Sequence, residues 1–98
     1  MLKKKYVSNG SVCKVTFILP DEIKARTAFV VGEFNSWDKD ATPLEQAKDG
    51  TWKVEVKLDS GKEFQFRYLV NGNEWHNDWE ADKYVMHPYG GENSVVVT

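Results

Sequence analysis

Carboxylates two residues apart at Asp78, Glu80 and Asp82, with His76 just upstream, are the first residues of this chain that could do chemistry. Glycosidic hydrolysis needs two carboxyl groups held roughly 5 to 10 Å apart across a cleft. A spacing of two residues is what any hydrated acidic loop offers. His76 with Asp78 and Asp82 imitates a metal site, but one histidine plus loop carboxylates falls short of the ligand sets that hold ions. His87 lies before Pro88 with no partner at a diagnostic spacing. No nucleophile elbow, phosphate-cradling glycine loop or paired-cysteine motif is present. The residues therefore point to no catalytic group, no metal and no cofactor.

The aromatic residues carry more. Four Trp, four Tyr and five Phe make up 13% of the 98 residues, and tryptophan is not among the common residues of globular chains. Trp52 shares its alternation with Val54, Val56 and Leu58, the pattern of one strand face, and is assigned to the core. Trp37 instead sits among Asn35, Ser36, Asp38 and Lys39, and Trp75 follows Asn71-Gly72 between Glu74 and His76. A large apolar side chain in a hydrated loop is either a plug over the end of a fold or a platform for a ligand. Both readings stand for Trp37 and Trp75, whereas Trp79, before Glu80-Ala81-Asp82, is closer to a plug. A platform of this kind suits a sugar ring, whose apolar C–H face an indole can cover while polar side chains meet the hydroxyls at its rim. Arg67, on the outward side of its strand with its head group free, and Asn93 could supply the donors.

The elements that must position these residues are strands. Period-2 alternation runs through Ser11 to Leu19, Thr51 to Leu58 and Glu63 to Val70, where Phe64, Phe66, Tyr68 and Val70 form an inward stripe, and Thr27 to Phe34 is a more apolar strand broken at Gly32. Asn71-Gly72 is a hairpin signal, since both residues tolerate positive φ. Asp21 to Arg26 is a connector with room for one helical turn, Pro43 to Gly50 is polar loop, and Trp75 to Tyr84 reads mostly as loop. Val85-Met86 pairs briefly, and Asn93 to Thr98 is the last strand. About seven short antiparallel strands in 98 residues predict an all-β, immunoglobulin-like sandwich. The expected layout is a flexible N-terminal segment over residues 1–10 and one β-sandwich domain over residues 11–98.

Charge and ends exclude further classes. Thirteen Lys and Arg against fifteen Asp and Glu give −2, which argues against a nucleic-acid partner. Lys3-Lys4-Lys5 reads as a solvated tail, and the polar residues after it break the pattern of a secretion signal, so no membrane partner is expected. The lone Cys13 alternates with Val15, Phe17 and Leu19 as a buried hydrophobe and fits a reducing compartment, which makes the cytoplasm the expected location.

Three ordered stretches carry a resemblance: Phe29-Val-Val-Gly-Glu-Phe-Asn-Ser-Trp-Asp38, Phe64-Gln-Phe-Arg-Tyr-Leu-Val-Asn-Gly72 and Gly90-Gly-Glu-Asn-Ser-Val-Val-Val97. Together they resemble carbohydrate-binding module family 48, which includes the isoamylase N-terminal domain, the N-terminal domains of glycogen-branching enzymes and the glycogen-binding domain of the AMP-activated protein kinase β subunit. The similarity runs from about Val12 to Thr98, and the whole chain looks even closer to small bacterial proteins described as stand-alone isoamylase early-set domains. It implies an early-set sandwich that binds an α-glucan polysaccharide such as glycogen or starch, or a malto-oligosaccharide. In the kinase domain two tryptophans cradle glucose units, and a lysine and an asparagine bond their hydroxyls. By motif these roles fall on Trp37, Trp75, Arg67 and Asn93, with Tyr89 lining the cleft. Arg67 departs from the family's lysine, and Tyr89 and Gly91 stand where the kinase domain has a leucine and a threonine. Many members are fused to family 13 glycoside hydrolases and serve to position them. The expected function here is a non-catalytic glucan-binding module; the alternative is a regulatory adaptor that docks a protein partner.

Overall fold

The computed structural model describes residues 1–86 and 90–98. Six strands follow the alternation: β2 (Val12–Leu19), β3 (Ala28–Gly32), β5 (Trp52–Asp59), β6 (Glu63–Val70), β8 (Lys83–Met86) and β9 (Glu92–Val97). Three more complete the sheets: β1 (Leu2–Val7), β4 (Glu45–Gln46) and β7 (Glu74–His76). One sheet runs β1-β2-β5-β4 and the other β3-β6-β9-β8, with β7 also on β6. All pairings are antiparallel among the described residues. The result is the all-β, immunoglobulin-like sandwich that the alternation predicts.

The core forms where the inward faces meet. Cys13, Val15 and Phe17 of β2 face Val30 of β3 and Phe66 and Tyr68 of β6 in one buried cluster. The Phe17 and Phe66 rings meet edge to face at 5.0 Å, a geometry that aromatic quadrupoles favour. Register keeps Trp52, Val54, Val56 and Leu58 opposite Leu19, Phe17, Val15 and Cys13. Trp52 packs on this cluster from its margin and is only partly buried.

The N-terminal segment corrects an expectation. Residues 1–10 are not a loose tail, because Leu2–Val7 pairs with β2 from Leu2↔Phe17 to Val7↔Val12. The lysine run hides this strand from a hydrophobicity reading, yet backbone pairing does not require apolar side chains, and lysines on an edge strand discourage further pairing. Lys4 Nζ lies 2.6 Å from Asp82 Oδ2, and the Tyr6 hydroxyl donates to the Thr98 carbonyl at 2.6 Å. A second correction concerns residues 75–84. They are not mostly loop, because Trp75 and His76 belong to β7 and Lys83 and Tyr84 to β8. The short β4 likewise lies within the expected loop. The connector after β2 holds a single 3-10 turn, Asp21–Ile23.

Candidate functional site

Strand parity assembles the site. Inward residues of β6 are Phe64, Phe66, Tyr68 and Val70, so Gln65, Arg67 and Leu69 point out of the sandwich. Phe66 pairs with Ser94, which turns Asn93 outward beside Arg67; Leu69 pairs with Trp75, which turns Trp75 to the same side. The Asn71-Gly72 turn has φ of 54° and 79°, as its sequence predicts, and it delivers Trp75 to that face.

Trp37 arrives from the loop after β3. The chain closes there in a 3-10 turn, Glu33–Asn35, followed by Ser36 and Trp37, both at φ 58°. Two consecutive left-handed non-glycine residues cost about 1–2 kcal/mol each. The surroundings hold them in place. Asn35 accepts the Gly32 N–H at Oδ1 (3.0 Å) and donates from Nδ2 to the Val30 carbonyl and Thr42 Oγ1 (both 3.0 Å), while the Trp37 N–H donates to the Gly32 carbonyl at 2.9 Å. Glu33 Oε1 accepts the Gln65 N–H at 2.6 Å, continuing the ladder where β3 ends.

Trp37, Arg67, Trp75 and Asn93 together line one open groove of about 320 Å³. The two indoles are 40% and 42% exposed, so neither is a buried plug. The structure thus brings four of the five residues singled out from the sequence to one surface. The fifth, Tyr89, lies outside the described residues, as does His87.

Two expectations about the polar groups are corrected. The Arg67 head group is not free: Nε and Nη2 donate to the Glu92 carbonyl at 3.1 and 2.8 Å. Asn93 is buried, and its Nδ2 donates to Gln65 Oε1 at 2.9 Å. Both side chains are therefore fixed along the groove by protein contacts. Gly91, at φ 76°, allows this approach, since a Cβ there would lie 3.3 Å from Arg67 Nη2. Trp79 is also corrected: at 57% exposure it is no plug.

Sequence reasoning passed over Lys39, whose Nζ stands 5.7 Å from the centre of the Trp75 ring. Its only sequence signal is its position two residues after Trp37. The carboxylates weighed for chemistry hold structure instead. Asp78 is buried, accepting the Tyr68 hydroxyl at Oδ2 (2.6 Å) and the Glu80 N–H at Oδ1 (2.8 Å). Asp82 Oδ2 pairs with Lys4 and accepts the Val97 N–H at 2.7 Å. Among the described residues no three His, Cys, Asp or Glu side chains are placed to hold a metal ion.

Comparison with known proteins bears on what such a groove is for. The chain is 36% identical over 75 residues to the 1,4-alpha-glucan branching enzyme GlgB of Synechococcus sp. (strain CC9902), an alignment covering 74% of this chain and 10% of that enzyme. It is 35% identical over 57 residues to the 1,4-alpha-glucan branching enzyme GlgB of Aquifex aeolicus (strain VF5), covering 55% of this chain and 8% of the enzyme. The chain thus spans about a tenth of the length of these relatives. The model of the family Carbohydrate-binding module 48 (Isoamylase N-terminal domain) matches residues 22–90, from the connector after β2 through the Trp37 loop, β6 and β7. With its sandwich and its outer-face groove, the chain belongs to the carbohydrate-binding module 48 family.

Proposed function

We propose that this chain is a non-catalytic module that binds α-1,4-glucans such as glycogen or starch in the cytoplasm. One observation carries the reading: two half-exposed indoles, Trp37 and Trp75, share a groove with Arg67 and Asn93 on a family 48 sandwich. In this reading the indoles stack on the C–H faces of glucose rings. Groups along the groove, at Arg67 and Asn93, meet the hydroxyls. An open site with two stacked rings and a few solvent-competed hydrogen bonds supplies about 4 kcal/mol, a dissociation constant near 1 mM. Retention on a branched polymer then comes from many chain ends acting together.

Titration with maltoheptaose or β-cyclodextrin, followed by indole fluorescence and amide NMR shifts, tests the proposal. Saturable changes at about millimolar ligand, lost in Trp37→Ala and in Trp75→Ala, are expected. No response at ten times that concentration overturns it.

A protein-docking reading draws on a different observation: Trp79 and Met86, 57% and 74% exposed, lie outside the groove lining. It predicts silence toward glucans, so the same titration separates the two.

A further inference from the structure

Two platforms serve one chain of rings only if their separation and tilt are set before the ligand arrives, because ordering mobile side chains on binding consumes affinity. Trp37 and Trp75 come from different elements, the loop after β3 and the strand β7. Something must tie them. The Trp37 side is already held by Asn35 and by the Trp37 N–H bond to Gly32. Lys39 lies on the same held segment: the Asp38 N–H donates to the Asn35 carbonyl at 3.2 Å and the Asp40 N–H to Asp38 Oδ1 at 2.9 Å, fixing the backbone on both sides of it. Trp75 has less support, since β7 is three residues long and its indole is 42% exposed.

The Lys39 ammonium crosses from the first element to the second. At 5.7 Å from the Trp75 centroid it is within the roughly 6 Å over which a cation is attracted to an indole face. Lys39 stands outside the groove lining, which Trp75 shares with Trp37, Arg67 and Asn93. The ammonium therefore reaches the second platform from a residue that is not itself part of the groove lining.

We propose that Lys39 is a positioning residue that clamps the Trp75 indole to the Trp37 loop and so couples the two platforms. Its effect on affinity rests on the glucan-binding reading; the clamp itself does not. Two variants separate charge from packing. Lys39→Met keeps most of the apolar stem and removes the cation, whereas Lys39→Arg keeps a cation that also stacks on indole. In Lys39→Met, β-cyclodextrin affinity should fall about twofold to fivefold, the range of an exposed cation–indole contact, while Lys39→Arg stays within about twofold of the unaltered chain. Thermal midpoints should match in all three proteins. In the free protein, the Trp75 indole N–H resonance, assigned through Trp75→Phe, should move in Lys39→Met while that of Trp79 holds still.

An unmoved Trp75 resonance overturns the proposal, and so does unchanged or tighter glucan affinity in Lys39→Met. Tighter binding would make Lys39 a competitor of the sugar. If the unaltered chain binds no β-cyclodextrin, the glucan reading falls alone, and the ligand-free indole resonance still decides whether Lys39 holds Trp75.

Discussion

Tyr68 shows how much one side chain does beneath the groove. It is wholly buried in the inward stripe, and its hydroxyl donates to Asp78 Oδ2 at 2.6 Å. Burial, and then the neighbouring Asp78 charge, hold its proton well above the ordinary tyrosine value of 10.0. The direction of the pH effect follows. Above about pH 10 the unfolded chain releases this proton while the folded chain keeps it, so the unfolded state binds fewer protons and stability falls as pH rises. Below that pH the contribution is complete. Tyr68→Phe should cost about 1–3 kcal/mol at neutral pH, because the buried carboxylate loses a donor, and it should remove this part of the alkaline loss. Urea unfolding of both proteins from about pH 7 to 11 checks this, with the gap between them narrowing above about pH 10. A gap independent of pH would show that Tyr68 ionises as readily folded as unfolded. At this scale the sequence was informative about Trp37, Trp75 and Arg67, because polar neighbours and strand parity are local properties. It misled on the Arg67 head group, expected free, and did not show the partner that holds Asn93. The Glu92 carbonyl lies 25 residues from Arg67, and Gln65 lies 28 residues from Asn93; only sheet register brings them together.

The β3–β6 pair shows the same at the scale of elements. Gly32 ends β3 at φ −165°, a conformation open to any residue, so its need for glycine is one of space. An added Cβ would lie 2.6 Å from the Gln65 carbonyl oxygen and 2.8 Å from Phe66 Cβ. Gly32 also bonds Asn35 and Trp37, so moving it disturbs the loop that carries the first platform. Gly32→Ala should therefore destabilise the fold by about 3 kcal/mol, the upper end of overpacking costs, and lower the thermal midpoint by roughly 10 °C or more. Gly61→Ala is the control: at φ 75° with nothing within 4 Å of its Cβ, it bears only left-handed strain of about 1 kcal/mol. Equal melting shifts for the two would refute the close-approach argument. The strands facing the core were legible because burial of one face imposes period 2. β1 was not, because Lys3, Lys4 and Lys5 give its run no apolar alternation, and its backbone pairing and its ties from Lys4 to Asp82 and Tyr6 to Thr98 join residues far apart in the chain. β7 was not either, since three residues are too few for a period and its place depends on β6.

For the whole molecule, charge separates the glucan reading from any anionic ligand. The chain carries only −2, and the cations nearest the groove already have partners: Arg67 holds the Glu92 carbonyl and Lys39 covers Trp75. A neutral sugar stacked on indoles displaces no condensed counterions, whereas a protein that neutralises about 6–10 phosphates of a nucleic acid loses about 10³–10⁵ in affinity between about 50 and 200 mM salt. The Lys39–Trp75 contact is short beside a Debye length of about 8–10 Å, so moderate salt should leave it largely intact. The β-cyclodextrin dissociation constant should accordingly change less than about twofold between about 50 and 200 mM sodium chloride. Amide NMR titrations at the two salt concentrations, read at Trp37 and Trp75, measure it directly. A steep linear fall of log affinity with log salt would mean that the groove recognises charge, and that the two cations rather than the two indoles set its ligand.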